Sequence, residues 1–332
     1  MASSKRLKKK NSRQKKFAWF FFWKRFKSGV KLGVSVLFGL SLATLSPQSQ
    51  DLGSIYYQPI AVRQIDFKLS EPALYPQINS FEEPLLTASG AAILDRQSGV
   101  FIYTKNPDQR FLPASTVKIM TALVALENYS PLEVLMVPQV SDEGQDMGLV
   151  AGELITVEAL LYGTLVSSAN DAAMVLSQNY WGGEKNFVSL MNKKAKSLGL
   201  KNSFFANSTG LDHLEGKEKS FSSARDLAWL ADYALRSESF AQIVRTKQIT
   251  LQDPQFRYSH QLYNLNRLLW ENPQVVGVKT GWTPEARECL VTAAQDDGKE
   301  IILVVLGSED RFGESQTLLN WVFSQTKWEK VF

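Results

Sequence analysis

With 332 residues, 44% hydrophobic and 21% charged, the chain can bury one large core or two modest ones, which excludes general disorder. Its formal charge of +4 is unevenly held: residues 1–31 carry twelve of the 37 Lys and Arg and no acid, leaving the rest at −8, so the basic excess sits in a tail rather than on a folded face and no nucleic-acid partner is expected. One cysteine, Cys289, and two histidines, His213 and His260, exclude an internal disulfide and leave too few ligands for a zinc site, so no metal or other cofactor is expected.

In chain order, the basic residues 1–31 are interrupted by the aromatic run Phe17 to Trp23 and lead into residues 32–46, where Leu32 to Leu45 is uncharged. That is the layout of a cytoplasmic n-region and an apolar h-region. About fourteen apolar residues fall short of the roughly twenty that a helix needs to span a bilayer, which favours a cleaved signal peptide with Ser41 and Ala43 before the cut. The long n-region and the lack of an A-x-A site favour an uncleaved membrane anchor, and both readings stay open. Either way the positive-inside rule keeps the tail in the cytoplasm and puts everything after Ser46 on the extracytoplasmic side. Residues 47–86, with five prolines among Gln, Ser and Glu, predict a linker or lead-in.

The folded domain is predicted over residues 87–328. Ala91 to Leu94 and Val100 to Tyr103 flank the turn Asp95-Arg96-Gln97-Ser98-Gly99 and predict a hairpin; Leu290 to Ala294 and Ile301 to Leu306 repeat it around Asp296-Asp297-Gly298. Between them the spacing predicts helices over Ser115 to Leu126, Val157 to Tyr180, Asn186 to Leu198 and Ser223 to Leu235, with a last amphipathic stretch at Glu314 to Phe323. Hairpins at both ends and helices between them predict an α+β fold: an antiparallel sheet built from both ends of the domain, flanked by helices, with an all-helical subdomain.

Three segments hold chemistry. Pro113-Ala114-Ser115-Thr116-Val117-Lys118 places a serine at a helix start and a lysine one turn later on the same face, within reach of the hydroxyl. In an apolar setting the lysine's charged form is disfavoured, and a neutral amine can act as base for a weak nucleophile. The spacing alone is weak, since Ser12/Lys15, Ser28/Lys31 and Ser324/Lys327 share it, and Ser115 would also serve as a plain helix N-cap. Company changes this. Leu165 to Ala173 puts Ser167, Ser168, Asn170 and Asp171 inside an apolar helical region, and Val276 to Thr283 reads as a strand in which Gly281 permits a close backbone approach.

In this order the three segments resemble the S-x-x-K, S-x-N and K-T-G elements of the serine penicillin-recognising enzymes, with a β-lactamase/transpeptidase-like fold. Asn207 to Asp212, Ser222 to Ala228, Asn264 to Trp270, and Arg311 with Leu318 to Trp321 extend the likeness to the low-molecular-mass D-alanyl-D-alanine carboxypeptidases, over residues 87 to 325. The resemblance implies Ser115 as nucleophile, Lys118 as its base, Ser168 as proton relay and Asn170 as holder of Lys118 or the substrate amide. It implies Lys279, Thr280 and Arg311 at the substrate carboxylate, Gly281 in the substrate-binding strand, and the N–H groups of Ser115 and Trp282 as oxyanion hole. The expected partners are peptidoglycan stem peptides, β-lactam antibiotics as covalent inhibitors, and the membrane through the N-terminal segment. A class A β-lactamase would need a Glu-x-x-Leu-Asn element that Lys201 to Asn207 does not offer; a D,D-endopeptidase or a non-turnover penicillin-binding sensor would keep the same residues. Two positions depart from the family pattern: Val276 stands where Asp precedes the glycine, and Arg287 where a glycine follows Ala286. The likeness stops near the last helix, so the C-terminal β-rich domain and amphipathic anchor of many relatives are expected to be missing.

Overall fold

The computed structural model describes residues 74–79, 82–139, 143–212 and 218–330; the segments 1–31 and 32–46 and His213 lie outside them. In chain order come β1 (Leu74–Ile78), the hairpin of β2 (Gly90–Asp95) and β3 (Phe101–Lys105), and a 3-10 turn (Ala114–Val117) that runs directly into α1 (Lys118–Asn128). The short strands β4 (Val134–Met136) and β5 (Leu154–Thr156) precede five helices: α2 (Val157–Leu165), α3 (Asn170–Gln178), α4 (Gly183–Ser197), α5 (Ala224–Ala234) and α6 (Glu238–Arg245). A second hairpin, β6 (Gln248–Gln252) and β7 (Ser259–Tyr263), and the short α7 (Arg267–Glu271) lead to β8 (Val275–Thr283), β9 (Arg287–Asp296) and β10 (Lys299–Ser308), then α8 (Arg311–Gln325) and β11 (Thr326–Lys330).

The central sheet is antiparallel in the order β3-β2-β10-β9-β8, so its strands do come from both ends of the domain. Unbroken apolar runs such as Ile301 to Leu306 follow from both faces being covered. Ile302, Val304 and Leu306 point into one core with Ala92, Leu94 and Val291, while Ile301, Leu303 and Val305 point into the other with Ile93, Leu318 and Val322. Helix α8 packs against β9 and β10 on one face, and α5 against β2 and β10 on the other. The first core continues into α1, α2, α3 and α4 through Met120, Leu160, Leu161, Val175, Phe187 and Met191. Side-chain caps mark the helix starts: Thr156 accepts from Ala159 N at 3.2 Å, Ser223 from Asp226 N at 3.2 Å and Asp310 from Gly313 N at 2.9 Å.

The elements depart from or narrow the sequence expectation at three places. The stretch from Val157 to Tyr180 is two helices, broken at Ser168, whose φ is +62°. Within residues 47–86, expected as a linker or lead-in, lies β1, which pairs with β11 from Leu74↔Lys330 to Ile78↔Thr326, so the end of that segment is a lead-in strand of the domain. Neither strand has an apolar run long enough to stand out, because each forms only a two-stranded ribbon. Finally, β4, β5, α6, the hairpin of β6 and β7, and α7 occur where the sequence predicts no element. Among the described residues no helix is long and apolar enough to cross a membrane.

Candidate active site

The site is assembled where the 3-10 turn, the break between α2 and α3, and strand β8 meet. Ser115 lies in the turn and Lys118 opens α1, so three residues of helical rise bring the amine back over the hydroxyl, 2.9 Å from Ser115 Oγ. Lys118 is fully buried. Its Nζ also lies 2.6 Å from Asn170 Oδ1 and 2.7 Å from the Thr209 carbonyl oxygen. Burial lowers its pKa to about 7, opposed by the carboxylate of Asp171. Geometry and charge then agree. Two of the three neighbours can only accept, so a neutral amine spends its two N–H bonds on Asn170 and Thr209 and turns its lone pair toward the Ser115 hydroxyl.

The nucleophile's turn is tightly held. Ala114, buried and non-glycine, has φ +48°, a left-handed conformation that persists only where surroundings enforce it. Two glycines provide that enclosure. A Cβ on Gly210 would sit 2.0 Å from Ala114 O, and one on Gly281 3.0 Å from Pro113 O and 3.1 Å from Ser115 N. The close approach that Gly281 permits is therefore first of all to the protein's own nucleophile turn. Gly210 belongs to Asn207-Ser208-Thr209-Gly210-Leu211-Asp212, where Asn207 Oδ1 accepts from Thr209 N at 3.1 Å and Gly210 N at 2.6 Å. This loop bridges the site: Thr209 O receives Lys118, and Asp212 Oδ2 accepts from Thr283 Oγ1 at the end of β8.

Asn170 starts α3 and is itself pinned. Its Nδ2 donates to Glu143 O at 2.7 Å and its N–H to Gln145 O at 2.6 Å. The next residue, Asp171, accepts from Met147 N and Leu149 N at 3.1 Å each, so one helix start organises both Lys118 and the loop opposite. Ser167 donates back to Gly163 O at 3.1 Å, while Ser168, in its left-handed conformation, lines the cleft. That cleft holds about 340 Å³ and is lined by Ser115, Gln145, Ser168, Leu265, Thr280, Gly281, Trp282, Glu288 and Arg311.

Strand β8 forms the other wall. Lys279 is buried, with Nζ 2.9 Å from Thr280 O, and its pKa is well below the ordinary lysine value through burial, then through the charges of Lys118 and Arg311. Trp282 is exposed at the rim. Arg311, the first residue of α8, donates from Nη1 to Gly281 O at 2.8 Å, and its buried Nε has no hydrogen-bond partner among the described residues. Cys289, in β9 opposite Gly281 of β8, is buried, its thiol pushed up to about 11 by desolvation, which makes it a poor nucleophile. All nine residues singled out in the sequence thus fall on or beside one cleft. Three contributors went unread there: the Thr209 carbonyl, because a backbone acceptor has no residue signature; Gln145, in a loop with no periodicity; and Glu288, whose Oε2 accepts from Arg311 N at 2.9 Å. Arg287 turns away to Glu309, 2.6 Å from its Nη2, and is not among the lining residues.

The family described as D-alanyl-D-alanine carboxypeptidase, peptidase family S11, matches residues 77–310. D-alanyl-D-alanine carboxypeptidase DacF of Bacillus subtilis is 37% identical over 248 residues, 72% of this chain and 62% of that protein, so the chain spans less than two thirds of that relative. A D-alanyl-D-alanine endopeptidase of Pseudomonas aeruginosa is 34% identical over 247 residues, 71% of this chain and 77% of the other. The crystal structure of the Streptomyces K15 DD-transpeptidase superposes with a TM-score of 0.68 at 32% identity, covering 73% of this chain and 99% of that one. A family match over more than half of the sequence, on an α+β transpeptidase-like fold with a serine and a lysine in hydrogen-bond contact, makes this chain a member of the D-alanyl-D-alanine carboxypeptidase family of serine peptidases.

Proposed function

We propose that the protein is a D-alanyl-D-alanine carboxypeptidase that removes the terminal D-alanine from peptidoglycan stem pentapeptides through an acyl-enzyme on Ser115. The observation that carries this reading is the buried Lys118 amine, 2.9 Å from Ser115 Oγ and held by two obligate acceptors. Ser115 Oγ attacks the carbonyl carbon of the penultimate D-alanine as its proton passes to Lys118 Nζ. The negative oxygen is received by the N–H groups of Ser115 and Trp282. Ser168 relays the proton to the departing nitrogen, the C–N bond breaks, and D-alanine leaves an ester on Ser115. Water then attacks that ester, gives its proton to the same base, and Ser115 regains a proton as the shortened peptide departs.

The terminal carboxylate of the substrate is assigned to Lys279, Thr280 and the guanidinium of Arg311, a residue that lines the cleft. Its negative charge favours the ammonium of Lys279, so in the complex Lys279 holds the proton and Lys118 remains the neutral base. β-Lactams, which present a reactive amide and a carboxylate together, would acylate Ser115 by the same route. The basic tail and apolar segment at residues 1–46 are read as delivering this domain to the extracytoplasmic face of the bacterial cell membrane, where its substrate lies.

The test is D-alanine release from a muramyl-pentapeptide analogue by the full-length chain, with and without penicillin. Release that penicillin abolishes is expected; a stoichiometric penicillin adduct without release would overturn the carboxypeptidase reading. The similarity to an endopeptidase supports a second reading, cleavage of cross-links. A cross-linked dimer run beside the pentapeptide separates the two by which substrate is consumed faster.

A further inference from the structure

The cleft wall that carries Gln145 belongs to the loop between residues 143 and 153. Three of its glycines have left-handed φ, +81° at Gly144, +77° at Gly148 and +85° at Gly152, so its backbone is permissive rather than self-fixing. What holds it converges on Met147. The Met147 N–H donates to Asp171, and its sulfur packs so closely on α2 that a Cβ on Gly163 would lie 2.3 Å from it. The Met147 carbonyl meets Nδ1 of His260, a residue of β7 distant in sequence, at 2.9 Å. The other ring nitrogen, Nε2, lies 2.6 Å from Glu153 Oε1 at the end of the same loop. Both side chains are buried, His260 at 5% and Glu153 at 0% exposure, and Glu153 Oε2 also accepts from Val150 N at 3.1 Å.

A carbonyl oxygen only accepts, so Nδ1 carries a proton. The short Nε2 to Oε1 contact holds a second proton shared between imidazole and carboxylate. Such a buried, doubly satisfied pair is a rigid connection, whereas either member alone leaves a desolvated polar group behind. The loop it fixes supplies Glu143 O and Gln145 O to Asn170, and Asn170 supplies one of the two acceptors of Lys118.

We propose that His260 and Glu153 form a positioning pair that staples the Gln145 loop to the hairpin of β6 and β7 and so keeps Asn170 and Lys118 at reacting distance from Ser115. This rests on Ser115 being the nucleophile. Loss of the staple acts on the rate of acylation rather than on the number of competent sites, because small misplacements of reacting groups cost on the order of a hundredfold.

The experiment is the time course of a fluorescent penicillin adduct on the full-length wild-type protein, His260→Phe and Glu153→Gln, reading rate and final stoichiometry separately at saturating drug. For His260→Phe the expected result is at least about a tenfold slower rate with stoichiometry retained. A folding defect alone would lower the stoichiometry and leave the rate unchanged, and that outcome overturns the proposal. Glu153→Gln restores a donor to Nε2 of a neutral imidazole and is expected within about twofold of wild type; a loss as large as that of His260→Phe also overturns it. A wild-type protein that forms no adduct would sink the nucleophile assignment and this inference together, whereas a normal wild-type adduct with an unaffected His260→Phe rate sinks the inference alone.

Discussion

Lys118 is both buried and basic because the same desolvation does both: it lowers the pKa to about 7, which places a neutral amine against Ser115 near neutral pH. Acylation should therefore rise about tenfold per pH unit below about pH 7 and level off above it, checked by penicillin acylation rates across that range; a flat profile would move the base elsewhere. The same depression makes the contribution of Lys118 to stability depend on pH. The unfolded lysine keeps its proton to near 10.5, so between about 7 and that value the unfolded chain binds the extra proton and stability grows as pH rises. Below about 7 both states are protonated and the full burial penalty is felt. In the sequence, Ser115 and Lys118 were legible only through their neighbours at Ser168, Asn170 and Lys279. The Thr209 carbonyl that completes the amine's environment was not legible, because any residue supplies a carbonyl and only the fold decides which one arrives.

At the scale of elements, the two sheet-forming hairpins were readable because strands covered on both faces are apolar without interruption, as at Ile301 to Leu306. The break at Ser168 was not, since apolar residues continue on either side of it and the helical period survives four intervening residues. The departure at Arg287 finds its meaning here. Arg287 has φ +59° where β9 begins, a conformation that costs a non-glycine residue roughly 1–2 kcal/mol. Its ion pair with Glu309 joins side chains 48% and 62% exposed, and such pairs contribute little. Arg287→Gly is expected to leave stability unchanged or raise it by up to about 1 kcal/mol, a shift of at most about 4 °C in thermal midpoint, with penicillin acylation unaltered. A drop in the midpoint would mean that the ion pair outweighs the backbone conformation.

Across the whole molecule, the two ends of the domain fasten to each other at a place where neither sequence segment announced a strand. Prolines and polar residues hide β1, and β11 follows α8 without a turn; their pairing spans more than 240 residues and no local window reports it. The fastening extends beyond the ribbon. Trp321 Nε1 donates to Glu82 O and Trp328 Nε1 to Asp95 Oδ1, both at 2.8 Å, and Glu314 accepts from Thr87 N and Ala88 N. Because β8 pairs with β9 so that Thr283 opposes Arg287 and Val275 opposes Ala294, the Ser115 cleft lies toward the opposite end of the sheet from the turn at Asp297. A chain shortened to begin at Thr87 keeps the fully buried residues of both cores and the whole cleft but loses five cross-strand pairs, Leu86 from the edge of the second core, and the carbonyl acceptors of Trp321 and Lys105. At about 0.2–1 kcal/mol per pair, the expected cost is about 1–5 kcal/mol, or about 2–20 °C of thermal midpoint at 2–4 °C per kcal/mol. Its penicillin acylation rate should match that of a chain beginning at Asp51. Equal rates with unequal midpoints would separate the ribbon's role in holding the domain closed from the chemistry at Ser115, and a slowed rate would show that the tied ends also set the geometry of the cleft.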